Sequence, residues 1–264
     1  MLQLFKRGWR ICQIIVLGIF VPECLLGSAD AEEALVRVAV AANFSAPMQL
    51  LSNDFYHKTG IHVVYSTAGT GQLYAQIVNG APFQVLLAAD SATPQRLIKA
   101  HRAVASSLFT YATGVLVLWS ADPALVDKQG RILQSGRFRH LAVAQAKNAP
   151  YGAAAMEVLQ HMGLQSTLQP LIVQGEDINQ TWQFVQSGNA ELGFVALAQV
   201  LHPGKVLPGS LWVVPQTLYS VLDQKAVLLQ NASNQPAALA WMRYLRSAAT
   251  QRLIRGFGYA VHPQ

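Results

Sequence analysis

Cysteine is almost missing from this sequence. There are two, Cys12 and Cys24, and both lie within the first 31 residues. That opening segment has the layout of an export signal. Lys6, Arg7 and Arg10 form a basic start, Ile14 to Val21 a short apolar core, and Ala29-Asp30-Ala31 a small-x-small cleavage site before Glu32. The apolar run is too short to span a bilayer, and Pro22-Glu23 ahead of Cys24 does not form a lipidation box. Cleavage near Ala31 leaves a working chain without cysteine. Disulfides, thiolate nucleophiles and cysteine metal ligands are thereby excluded.

Charge is the second scarcity. Charged residues make up 12% of the chain, against about a quarter in an ordinary soluble domain. With the signal gone, 16 Lys and Arg remain against 11 Asp and Glu, a net of +5. That excess suits attraction of anions, but it is scattered. The densest cluster, Arg137 to His140, reads as a solvated face, so no nucleic-acid partner is expected. Catalytic patterns are lacking too. There is no GxSxG elbow and no P-loop, and Gly69 and Gly71 have no third glycine to complete GxGxxG. The seven histidines (57, 62, 101, 140, 161, 202 and 262) show neither HExxH nor paired metal-ligand spacing. An exported hydrolase is the rival from another functional class, and no catalytic constellation supports it.

What is present is a 52% hydrophobic chain of 264 residues, ample for one large domain or two ordinary ones. Short apolar runs alternate with helical patterns. Residues 36–42, 61–67 and 85–90 read as strands, with helices over 47–59, 72–80 and 94–100 between and after them. Such a βαβαβα order implies a parallel sheet. At 110–120 two apolar strands separated by Gly114 suggest a crossing. A second set follows, with strands at 140–145, 171–175 and 192–196 and helices over 153–162 and 179–186. The runs LWVVP and KAVLLQ return the chain, and helices at 236–245 and 251–255 cap the first set. The pattern predicts an α/β protein of two mostly parallel-sheet lobes. Residues 32–112 plus 222–264 form the first lobe and 113–221 the second.

In open parallel sheets, ligands sit beyond the carboxyl ends of the strands. Four strand-to-helix junctions occur there: AANFS (41–45), TAGTGQ (67–72), KNAPYGA (147–153) and GEDIN (175–179). The first three put no carboxylate at the tip, and Lys147 is the one cation nearby. Free N–H groups at helix starts carry a partial positive charge and bind anions. Singly, each junction has a plainer role. Asn43 and Thr70 suit helix N-caps, Tyr151 suits a core aromatic, and Ile178 suits packing. Two junctions from each lobe make an interlobe ligand cleft the more economical explanation.

The export signal, followed by AVAANFSAPM, STAGTGQLYAQIVNGAPFQVLLAAD, APYGAAAMEVL and GFVALAQV, resembles the periplasmic molybdate-binding proteins of ABC transporters over about residues 32–260. The resemblance implies a two-lobed, type II periplasmic binding fold. It implies a non-enzymatic protein that holds molybdate or tungstate and carries no other cofactor or metal. It also implies a monomer that delivers its cargo to a membrane permease with a cytoplasmic ATPase. The ligand contacts it implies fall on Asn43, Thr70, Tyr151 and, through the backbone N–H, Ile178. Chemistry alone would also admit sulfate or phosphate. Many members have a tyrosine where Ala196 stands, and the Tyr151 hydroxyl is expected to replace it. Some have threonine where Ala42 stands. Asp177 either accepts a hydrogen bond from a protonated oxyanion or caps the helix starting at Ile178.

Overall fold

The computed structural model describes residues 34–260; the export signal with both cysteines, and His262, lie outside the described residues. The first half of the chain forms β1 (Leu35–Ala41), α1 (Ser45–Thr59), β2 (His62–Ala68), α2 (Thr70–Val78), β3 (Val85–Leu87), α3 (Ala92–Lys99) and β4 (Phe109–Gly114). The middle forms β5 (Leu116–Ser120), α4 (Ile132–Ser135), β6 (Leu141–Ala144), α5 (Pro150–His161), α6 (Gln165–Leu168) and β7 (Ile172–Gly175). Then come α7 (Ile178–Gln186), β8 (Leu192–Ala196), α8 (Leu197–Val200), β9 (Ser210–Val213), β10 (Leu222–Leu228), α9 (Pro236–Arg246) and α10 (Ala248–Gly256).

These strands make two five-stranded sheets, ordered β2-β1-β3-β10-β4 and β7-β6-β8-β5-β9. In each, three strands run parallel, as the βα alternation requires. The fourth strand is antiparallel to both its neighbours: β10 in the first sheet, β5 in the second. The chain crosses between sheets twice, from β4 to β5 through Val115 and back from β9 to β10 through 214–221. The α/β, two-lobed architecture is therefore present, with each sheet mixed at one side.

Local sequence explains the elements. β1 is a run of apolar residues covered on both faces, with Arg37 its one exposed residue, as befits a central parallel strand. Met48, Leu51 and Phe55 sit on one face of α1 and are buried. Phe55 meets Trp241 of α9 edge to face at 5.1 Å, closing the first core under α9 and α10. The second core gathers Leu116, Leu118, Leu141, Phe194 and Leu159. It also takes in Ala41, Ala42 and Ala89 from the first sheet's strand ends. The two lobes thus meet through small apolar side chains, and small residues let backbones approach closely.

The helix starts differ from the sequence reading. α1, α2 and α5 begin at Ser45, Thr70 and Pro150, two or three residues before the expected Pro47, Gln72 and Ala153. Proline without an N–H and with a helical φ favours the first helical position, and Pro150 occupies it. Thr70 and Tyr151 consequently lie inside first helical turns.

Candidate functional site

All four junctions converge. The ends of β1, β2, β6 and β7 deliver Asn43, Thr70, Tyr151 and Ile178 to one cavity, whose remaining wall is mostly alanine and glycine. It is small, about 190 Å³ of non-atom space even with its opening to solvent counted, which excludes any large ligand. No lysine, arginine, histidine or carboxylate lines it. A larger open hollow of about 860 Å³ lies beyond Gly71 and Asn148, lined by Asp90, Arg96, Lys147 and Glu157 among others. Its charges are of both signs and the hollow is open to solvent, so it offers no neutral socket.

The first turn of each helix shows which N–H groups are spent. In α7, Asp177 is the N-cap, and its carboxylate accepts from Asn179 N at 2.9 Å and Gln180 N at 3.0 Å. Thr181 N returns to Asp177 O at 3.1 Å. A helix start has four N–H groups without intrahelical partners; here the cap takes those of Asn179 and Gln180, leaving those of Asp177 and Ile178, and Ile178 lines the cavity. Asp177 is thus a cap. In α5, Pro150 has no N–H, and Gly152 and Ala153 both donate to Ala149 O, at 2.9 and 3.1 Å. Tyr151 N–H remains. In α2, Gly71 N donates to Asn148 O at 3.0 Å and Leu73 N to Gly69 O at 3.0 Å, leaving the Thr70 and Gln72 amides. The 3-10 turn over Ala42–Phe44 likewise starts with amides that no helical carbonyl reaches. Each expected residue therefore brings an uncommitted backbone donor.

The side chains behave differently from one another. Thr70 is buried, and its Oγ1 accepts from Ala89 N at 3.1 Å. Its hydroxyl proton is left for an acceptor in the cavity. Asn43 does not cap the helix, and its amide donors are both taken. Nδ2 donates to Gln224 Oε1 at 3.0 Å and to Tyr259 OH at 3.0 Å, while Tyr259 OH donates to Asn43 O at 2.8 Å. The Tyr151 hydroxyl accepts from Gln224 Nε2 at 3.1 Å. It lies against Gly114 at the first crossing, where a Cβ would stand 2.2 Å from its oxygen. The Tyr151 hydroxyl, expected to stand in for one at position 196, thus sits beside the first crossing with its own proton unspent. The ring runs towards the crossing strands, and its oxygen is held there. Ala196 itself donates its N–H to Gln199 Oε1 at 3.0 Å.

Burial pushes the Tyr151 hydroxyl well above its ordinary pKa, with Tyr259 and Tyr219 adding to the shift and the bond from Gln224 offsetting part of it. Burial does the same to Tyr111 and Tyr259. All three phenols are neutral donors and acceptors at any physiological pH.

Two seams flank the cavity and join the lobes. One is the Gly71–Asn148 bond; a Cβ on Gly71 would meet Asn148 Cα and Oδ1 at 3.0 Å each. The other is Ser45 Oγ, which accepts from Asn179 Nδ2 at 3.2 Å. Gln199 Nε2 steadies that second seam by donating to Ile178 O and Asn179 Oδ1, each at 3.0 Å. Sequence reasoning missed Gln199, Gln224, Ser45 and Asn179. Gln224 had left a signal. In β10 the even-numbered positions Leu222, Gln224 and Ala226 face inward, so an amide sits on an apolar face.

Among the described residues, no group of three or more His, Cys, Asp or Glu is placed to hold a metal ion. No described helix is long and apolar enough to cross a membrane. The assembled site can grip a compact anion with neutral, preorganised donors from both lobes.

Residues 36–260 match the family described as bacterial extracellular solute-binding protein. The chain is similar to the molybdate-binding protein ModA of Azotobacter vinelandii, at 49% identity over 231 residues, 88% of this chain and 92% of that one. It is similar to the molybdate-binding protein ModA of Rhodobacter capsulatus at 44% identity over 255 residues, 97% of this chain and 96% of that one. Among solved structures, an Azotobacter vinelandii periplasmic molybdate-binding protein superposes with a TM-score of 0.84 at 39% identity. That match covers 86% of this chain and 99% of the other.

Proposed function

The chain belongs to the bacterial extracellular solute-binding proteins and, within them, to the molybdate-binding proteins, and on that premise we propose that it captures molybdate outside the cytoplasmic membrane for import by an ABC transporter. The observation that carries this reading is the small uncharged cavity at which four strand-to-helix junctions each leave a free backbone N–H.

The Asn43, Thr70, Tyr151 and Ile178 backbone amides and the Thr70 hydroxyl are the donors to the oxyanion. Asn43 acts through the backbone, since both its side-chain N–H groups are engaged elsewhere; Tyr151 brings its backbone amide, and its hydroxyl, which accepts from Gln224, keeps its proton. A dianion in a closed cleft has lost its hydration, so its oxygens need such partners, each contributing roughly 1.5–3 kcal/mol. Neutral donors supply them without a fixed countercharge, and opening of the lobes releases the ion to the permease. Tungstate, with the same charge and shape, is accepted as well. Sulfate and phosphate are the competitors on chemical grounds, but the similar proteins carry molybdate in their names.

Residues 32–112 plus 222–264 form one lobe and 113–221 the other, with the crossings as hinges. The protein is a periplasmic monomer released by cleavage near Ala31. It has no catalytic role, and its partners are the permease and ATPase, with no cofactor beyond the transported ion. Native mass spectrometry of the purified exported protein tests the binding claim. One added molybdate per chain, absent when sulfate is supplied at the same concentration, is the expected result. Equal uptake of sulfate would refute it.

A further inference from the structure

Gln224 is wholly buried and sits in β10, three residues past the second crossing. Its side chain is the hub of a polar cluster behind the cavity. Oε1 accepts from Asn43 Nδ2 and from Tyr111 OH, each at 3.0 Å, and Nε2 donates to Tyr151 OH at 3.1 Å. Asn43 and Tyr111 belong to the first sheet's lobe, whereas Tyr151 starts α5 in the second. Gln224 therefore holds, by one amide group, a residue from each lobe whose backbone N–H faces the anion.

The hub also touches both crossings. A Cβ on Gly114, the last residue before the first crossing, would come within 2.2 Å of Tyr151 OH and 2.7 Å of Gln224 Nε2. The Tyr151 ring runs as a strut from this pivot to the helix start that binds the ion. A buried amide left with an unmatched partner is costly, so the cluster tolerates one arrangement only.

We infer that Gln224 is a positioning residue of the anion site, setting the Asn43 and Tyr151 amides relative to each other across the hinge. This rests on the reading of the cavity as the molybdate site. Groups bonded to the amide are the hydroxyls of Tyr111 and Tyr151 and the amide of Asn43, with the Tyr259 hydroxyl beyond Asn43. Asp90 is a further charge, acting on Tyr111.

The test is calorimetric titration of molybdate into the parent, Gln224→Glu and Gln224→Met, at about pH 6 and about pH 9. A protonated carboxyl in Gln224→Glu keeps a donor for Tyr151 and an acceptor for Asn43 and Tyr111. The ionised form has no donor and places a charge behind the anion. Binding by Gln224→Glu is expected to fall at least about tenfold from the lower to the higher pH while the parent stays level. Gln224→Met, which keeps the volume and loses the amide, is expected to bind at least about tenfold more weakly at both pH values. A pH profile of Gln224→Glu parallel to that of the parent would overturn the inference, as would Gln224→Met binding within about twofold of it. A parent that binds no molybdate removes instead the site reading, and the inference with it.

Discussion

Replacing Gly71 by alanine separates ligand-driven closure from folding. Gly71 lies in the first turn of α2, outside the left-handed region, so alanine fits its backbone. In the isolated lobe the change raises helix propensity by up to about 1 kcal/mol. Across the seam it does the opposite. The new Cβ meets Asn148 Cα and Oδ1 at 3.0 Å and Lys147 O at 3.4 Å, so the 147–148 segment must withdraw by a few tenths of an ångström. Overpacking of this degree costs about 1–2 kcal/mol, which is a 5- to 30-fold loss of affinity at about 1.4 kcal/mol per decade. On the proposed opening of the lobes, the seam is parted in the anion-free protein and the cost is absent there. Gly71→Ala should therefore melt at the parent's temperature or up to about 4 °C above it without molybdate. It should also bind molybdate 5- to 30-fold more weakly by calorimetry. Unchanged affinity would refute the seam. A parallel fall in anion-free melting temperature would show that Gly71 serves folding instead.

Thr70→Val should weaken molybdate binding roughly 10- to 150-fold, the worth of one hydrogen bond to a charged group, and Thr70→Ser should keep near-parental affinity in the same titration. Because no carboxylate or imidazole lines the cavity and the three buried phenols stay neutral, affinity should be level between about pH 6 and about pH 9; a titration-shaped fall there would contradict the neutral-donor account. At Asp54, burial alone would raise the carboxyl pKa, but hydrogen bonds from Lys58 and Tyr244 bring it below its ordinary value. A depressed acid contributes stability above its unfolded pKa and loses it as pH falls through the folded one. Urea melts at about pH 5 and about pH 3 should therefore show a smaller acid loss in Asp54→Asn than in the parent.

Much of the fold was legible because the two sheets repeat one grammar. Apolar strands such as β1 and β8 are short and almost wholly buried, and amphipathic helices with clear stops follow the parallel strands. The first turns of α1, α2 and α5 escaped because serine, threonine–glycine and proline–tyrosine do not look helical, though each suits a helix start. The four junction residues could be picked out since strand ends and helix starts are local features. The roles of two side chains could not. Asn43 is bonded to Gln224 and Tyr259, 181 and 216 residues away in sequence, and no local pattern announces such partners. The seams formed by Gly71 with Asn148 and by Ser45 with Asn179 have the same character, since they exist only where the lobes meet.

The most direct test is a calorimetric titration of the exported chain with molybdate, tungstate, sulfate and phosphate at neutral pH. Trp182, one helical turn beyond Ile178, offers a fluorescence report of the same event. The account predicts tight one-to-one binding of molybdate and tungstate and much weaker binding of sulfate and phosphate. Silence toward all four, or a preference for sulfate or phosphate, would contradict it.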